Sequence, residues 1–178
     1  MQPLKTDRLT LRPFTLDDVT AAFGFFGDRE VMRFSLNGPH ASRKTTEDFI
    51  TANINRQARL GFSIWAVIEA ATGDIIGMCG LAEFGHGVPG IELAYRLRRD
   101  RWGRGYGTEA GQAAVAHAFG PRGLDRLIAA VERENTPSIH VLEKCGFGFV
   151  EERTIAGRDA LVYETLSSTG PHRSTSTG

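Results

Sequence analysis

"IELAYRLRRDRWGRGYGTEA", residues 91–110, passes from a period of two, through a glycine-rich turn, into the start of a helix. Ile91, Leu93, Tyr95 and Leu97 point to one face of a strand, and Glu92, Ala94 and Arg96 to the other. Gly103, Gly105 and Gly107 then alternate with Arg104 and Tyr106, and an alanine-rich segment follows. Glycines between a strand and a helix let backbone N–H groups converge, and the helix start adds unsatisfied N–H groups and a partial positive charge. Each such interaction contributes only about 0.3–2 kcal/mol, yet several together orient a phosphate or pyrophosphate. Arg96, Arg98, Arg99, Arg101 and Arg104 crowd the same region. They read either as a solvated strand end or as reinforcement of an anion site.

The loop has no Gly-Lys-Ser/Thr, which disfavours nucleoside-triphosphate hydrolysis. Gly105, Gly107 and Ala110 satisfy the dinucleotide fingerprint G-x-G-x-x-A, but that motif should follow a buried parallel strand near the chain start. Here the preceding strand alternates polar residues and follows a hairpin meander.

Outward from the loop, "DRLTLRPF" reads as a strand. "TLDDVTAAFGFF" reads as a helix capped by Thr15, with Leu16, Val19, Phe23 and Phe26 on its apolar face. "RKTTEDFITANINRQARLG" is a helix closed by Gly61, and "FSIWAVIEA" and "DIIGMCGLAEF" are strands joined around "ATGD". After the glycines come a helix over "TEAGQAAVAHAF", whose small residues allow close packing, and a strand over "RLIAAVERE". A short helix over "NTPSIHVLEKCG" is capped by Asn135, with Pro137 in its first turn and Gly146 at its end, and two final strands follow. The order β-α-α-β-β-β-α-β-α-β-β predicts an α/β fold with a mixed sheet and helices on its faces.

The 178 residues suit one domain over residues 6–166, with a small, polar tail at 167–178 expected to be disordered. Apolar residues make up 41%, and the 21 basic residues balance 21 acidic ones, so nothing global calls for nucleic acid or an anionic membrane. Cys79 and Cys145 form no Cys-x-x-Cys pair and read as free thiols. The opening "MQPLKTDRLTLRPF" lacks the apolar core of a signal peptide, and no stretch approaches a membrane span, so a cytoplasmic protein is expected. His40, His86, His117, His140 and His172 show no metal-ligand spacing, and no metal is expected.

Four segments, "TDRLTLRPFTLDD", "GDIIGMCGL", "IELAYRLRRDRWGRGYGTEA" and "ENTPSIHVLEKCGF", occur in this order, and together they resemble the GCN5-related N-acetyltransferase superfamily. The branch most similar contains the RimJ/RimL-type acetyltransferases of ribosomal-protein N-termini. The resemblance covers about residues 6–165. It implies a mostly antiparallel mixed sheet with a splayed strand pair holding CoA. It also implies acetyl-CoA as co-substrate, without a metal, and an amine as acceptor, with direct transfer in a ternary complex. The chain would act as a monomer or homodimer. By this resemblance the pyrophosphate lies on backbone groups around Gly103, Arg104, Gly105, Tyr106, Gly107 and Thr108. Trp102 stands where the superfamily has Gln or Arg, a Trp-Gly start familiar in this branch. Leu97 ends the strand that would pair with pantetheine, and Asn135 would hydrogen-bond the pantetheine arm. Ser138 would sit near the CoA sulfur and protonate the departing thiolate. Helix capping by Asn135 and a solvent-facing Ser138 are the structural alternatives.

Glu92, mid-strand on the polar face, is the candidate general base, against an exposed glutamate paired with Arg96. Tyr95 and Tyr106 are rival acids, with Tyr95 expected in the core and Tyr106 beside the loop. His86, Phe34, Phe84 and Trp65 are candidates for the acceptor side, and Cys145 reads as packing. One glutamate base suits an α-amine better than lysine, since neutralising them at pH 7 costs about 1 and about 4.6 kcal/mol. Protein N-termini therefore lead over small-molecule amines such as an antibiotic, a polyamine or an amino acid. A non-catalytic acyl-CoA-binding module would keep the glycine loop and Asn135 but not need Glu92 or Ser138.

Overall fold

The structure is a computed structural model, and it describes residues 2–85 and 89–168. His86, His172 and the tail beyond residue 168 lie outside the described residues. Eight strands form one sheet: β1 (Leu4–Lys5), β2 (Leu9–Pro13), β3 (Ile64–Glu69), β4 (Ile75–Glu83), β5 (Ile91–Leu97), β6 (Arg126–Glu132), β7 (Gly148–Ile155) and β8 (Arg158–Leu166). Their order is β1-β2-β3-β4-β5-β6-β8-β7, and β5–β6 is the parallel pair. Among the described residues four helices cover the sheet: α1 (Val19–Phe26), α2 (Arg43–Leu60), α3 (Tyr106–Phe119) and α4 (Thr136–Lys144). The parallel pair needs a crossover, and α3 supplies it.

The period of two sorts the strands between two cores. Trp65, Val67, Cys79, Leu81, Leu93 and Leu97 pack under α3 and α4, while Ile64, Ala66, Met78, Ala82 and Ala94 pack under α1 and α2. Ala110, Ala114 and Ala118 recur every four residues on the buried face of α3. The expected close packing is present: a Cβ on Gly111 would lie 2.8 Å from Cys145 Sγ.

Three local expectations are corrected. On α1, Phe26 is buried and Val19 packs against the same core as expected, beside Ala22 and Phe25, whereas Leu16 is 56% exposed in a short 3-10 turn over Leu16–Asp18 that precedes the helix. α3 begins at Tyr106, so Gly107 and Thr108 lie in its first turn. Asn135 holds the N-cap position of α4, but its side chain does not cap the helix.

Candidate active site

The β4–β5 ladder runs through seven residue pairs, whereas β5 meets β6 at one, Glu92 opposite Ile128. Beyond that point the two strands diverge. Phe84 N–H donates to Gly90 O at 2.9 Å and Arg98 N–H to Ile76 O at 2.7 Å, which sets the phase of the ladder. Even-numbered residues of β5 therefore bond to β4, and Tyr95 and Leu97 turn their backbone groups toward the gap. On the other side, Ser167 N–H donates to Asp125 O at 2.9 Å, so the backbone of Ala130 and Glu132 faces the same gap. Asn135 N–H takes the Glu132 carbonyl at 2.9 Å, and Trp102 Nε1 takes the Leu97 carbonyl at 2.8 Å. The other inward-facing backbone groups are strand-type donors and acceptors, which suit an extended partner.

The gap opens into a cavity of about 970 Å³. Glu92, Leu97, Trp102, Gly103, Gly105, Tyr106, Gly107, Thr108, Asn135 and Ser138 all line it. Arg104 does not; its carbonyl accepts from Arg8 Nη1 at 3.0 Å. Gly103 (φ 72°) and Gly105 (φ 80°) adopt left-handed backbone, which brings the N-terminus of α3 to the cavity mouth without a side chain in front of it.

This loop is clamped from below by residues that local spacing could not reveal. Glu69, at the end of β3, accepts from Tyr106 Oη at 2.7 Å and from Arg101 Nε and Nη2 at 3.2 and 3.1 Å. The Tyr106 hydroxyl, with Thr72 and Arg101, holds the Glu69 carboxyl below its ordinary range. Arg8 lies over the Tyr106 ring at 4.5 Å and donates to Glu109 Oε2 at 2.7 Å. The arginine cluster is thus partly neutralised within the protein, Arg98 and Arg101 both pairing with Asp100.

Titratable groups flank the gap on opposite faces of the sheet. On the α3–α4 side, Tyr95 Oη donates to Ser138 Oγ at 3.0 Å. Tyr95 packs its ring against the α3-side core, as expected, and its hydroxyl also reaches the cavity, while Ser138 is half-buried rather than solvent-facing. Burial pushes the Tyr95 phenol up to about 12, partly offset by the Ser138 bond, so it stays protonated. Having accepted that bond, Ser138 keeps its own O–H to donate.

On the α1–α2 side, burial pushes the Glu92 carboxyl up to about 7, against the lowering influence of the Arg96 and Arg56 charges. Among the described residues Glu92 makes no ion pair within 4 Å; Arg96 acts on it through charge alone. Trp65 is fully buried in the α3-side core and is not part of the wall, whereas Phe34 and Phe84 are. Cys145 packs beneath α3, its thiol pushed up to about 11 by burial, which leaves it a poor nucleophile. Among the described residues no helix is long and apolar enough to cross a membrane, and no cluster of potential metal ligands occurs.

The strand before the glycine loop is antiparallel to β4 and meets β6 at a single pair, which is not the buried parallel strand a dinucleotide fold requires. Comparison with known proteins points elsewhere. A family model described as "Acetyltransferase (GNAT) domain" matches residues 8–148. "Uncharacterized N-acetyltransferase p20" of Bacillus licheniformis is 31% identical over 147 residues, 83% of each chain. Spermidine N(1)-acetyltransferase of Vibrio cholerae is 26% identical over 155 residues, 85% of this chain and 87% of the relative. The solved structure of RimL, a ribosomal L7/L12 alpha-N-protein acetyltransferase in complex with coenzyme A, shares the fold at a TM-score of 0.81 and 17% identity, covering 93% of this chain and 98% of that one. The matched span runs from β2 to the start of β7 and takes in both strands that open the gap. The chain therefore belongs to the GNAT acetyltransferase family and is an acetyl-CoA-dependent N-acetyltransferase.

Proposed function

We propose that the chain acetylates a protein N-terminal α-amine, with Glu92 as general base and Ser138 as proton donor. The observation that carries this is the Glu92 side chain, which lines the wall of the gap with no ion pair within 4 Å among the described residues, where burial raises its carboxyl to about 7. A free α-amine has a pKa of about 7.7–8.0, so a base poised there removes its proton at little cost near neutral pH.

The residues present fit acetyl-CoA. Gly103, Gly105, Tyr106, Gly107 and Thr108 would hold the pyrophosphate at the N-terminus of α3. The free backbone groups of Tyr95 and Ala130, with the Asn135 side chain, would meet the pantetheine amides. Bound acetyl-CoA supplies the acetyl group as an activated thioester. Glu92 accepts the amine proton from the α1–α2 side. Ser138, backed by the Tyr95 hydroxyl, presents a proton from the α3–α4 side, where the sulfur would depart. Backbone N–H groups at the gap would polarise the thioester carbonyl. Residues 6–166 form the working domain, and the free thiols of Cys79 and Cys145 support a reducing, cytoplasmic setting.

A polyamine acceptor is the second reading, supported by the relative named as a spermidine N(1)-acetyltransferase. Thiol release from acetyl-CoA separates the two. Peptides with a free N-terminus are expected to be turned over faster than N-blocked lysine peptides or spermidine, and a spermidine preference would reject the proposal. Ser138→Ala should lower kcat with little change in the acetyl-CoA KM.

A further inference from the structure

Arg96 lies on β5 on the same side as Glu92 and lines the same cavity. Ala94, between them, packs with the α1–α2 core, so this side of the strand looks away from the glycine loop. Arg96 is not a surface arginine. It is half-buried, and desolvation lowers its pKa against the opposing charges of Glu92 and Tyr95. Yet among the described residues its guanidinium makes no hydrogen bond and no ion pair within 4 Å. Its charge is felt by Glu92 and by His40, whose ring stacks on Phe26 at 4.5 Å. Arg56, from α2, lines the same wall; its Nη1 donates to Asn53 Oδ1 at 2.9 Å, and its buried Nε has no partner among the described residues.

The acids around this half of the cavity do not answer these cations. Glu83 is held by Arg59 at 2.8 Å, Glu132 by Arg158 at 2.6 Å, and Glu30 stands 3.9 Å from Arg33. Burial holds the Glu92 carboxyl toward its neutral form. On this side of β5 neither guanidinium has an acid within ion-pair distance among the described residues, and a desolvated guanidinium without a partner is costly unless something completes it.

We propose that Arg96, assisted by Arg56, binds a carboxylate of the acceptor, so that the enzyme selects acidic peptide N-termini. This rests on the N-terminal amine reading above. The four strand steps from Glu92 to Arg96 span about 13 Å between Cα atoms, and the long Arg96 side chain brings its charge close enough to act on the Glu92 carboxyl. An amine at Glu92 and a carboxylate at Arg96 thus belong to separate parts of one extended acceptor, as with an aspartate or glutamate just after the first residue. A polyamine would instead bring further cations against two unanswered guanidinium groups.

The test is a set of hexapeptides with free N-termini that carry aspartate, asparagine or lysine at the second position, assayed beside spermidine and free aspartate. The aspartate peptide should exceed its asparagine counterpart about tenfold in kcat/KM, the gain residing in KM and shrinking in high salt. Arg96→Gln should bring that ratio close to one, and Arg96→Glu should turn the preference toward the lysine peptide. If an Arg96 variant fails to fold, as judged by its melting curve, Arg56→Gln should still reduce the ratio. Equal use of the three peptides by the wild type, or a ratio that survives Arg96→Gln, overturns this inference and leaves the N-terminal amine reading standing. A preference for free aspartate over every peptide supports the anion site and overturns the peptide acceptor. A preference for spermidine overturns both.

Discussion

Replacing Glu92 by glutamine should make the protein more stable while disabling it. Burial raises this carboxyl from 4.5 to about 7, a shift that corresponds to roughly 3 kcal/mol. Its folded-state pKa lies above the unfolded one, so the folded protein holds this proton more tightly. Below about pH 4.5 the group is neutral in both states and costs nothing. Between about pH 4.5 and 7 the unfolded chain releases the proton first and stability falls; above about pH 7 the full penalty is present. The amide has the same shape and no charge to desolvate. The stability difference between Glu92→Gln and wild type should therefore grow from near zero at pH 4.5 to about 3 kcal/mol at pH 8, or roughly 6–12 °C in Tm for a chain of this length. Urea or thermal melts of both proteins across that range read it directly, since the other titrating groups cancel in the difference. The same variant should lose about 10²–10⁴-fold in kcat, while wild-type kcat/KM rises about tenfold from pH 6 to pH 8. A difference that stays flat with pH, or a variant less stable at pH 8, would refute the desolvation reasoning. A sloping difference with undiminished turnover would keep the burial and remove Glu92 from the chemistry.

Tyr106→Phe removes the hydroxyl that ties the start of α3 to Glu69, and the acetyl-CoA KM should rise about tenfold as the glycine loop loosens; isothermal titration with CoA checks it independently of turnover. His117 is buried edge-on to Trp65, neither ring nitrogen is bonded among the described residues, and burial lowers its pKa. Both states are neutral above about pH 6.5, where stability is complete. Below it the unfolded chain protonates first and stability is lost. His117→Leu should flatten that part of the decline in pH-dependent melts.

Much of the site follows from local pattern. The alternation in residues 91–97 put Glu92 on the face away from Leu93 and Leu97, and the contacts of the strand agree. The glycine spacing marked the loop because left-handed backbone at Gly103 and Gly105 is a property of the residues themselves. The placement of Asn135 and Ser138 one turn apart followed in the same way from a short helix with proline in its first turn. Where the local pattern misled, a neighbouring segment intervened. Leu16 fell in the 3-10 turn rather than on the packed face of α1, and Tyr95, whose ring packs against the core, reaches Ser138 of α4 with its hydroxyl.

The sequence by itself therefore determined the order of elements, the glycine cradle and the face on which Glu92 stands, since each depends on residues within one or two turns or strand repeats. Only the tertiary structure decided that β5 and β6 part after a single residue pair, that Glu69 clamps the loop from a strand more than thirty residues upstream, and that among the described residues Arg96 and Arg56 form no ion pair within 4 Å. Such features depend on which backbone groups and charges from distant segments go unpaired. Pairing is a property of the assembled sheet and its helices, and no window of sequence contains it.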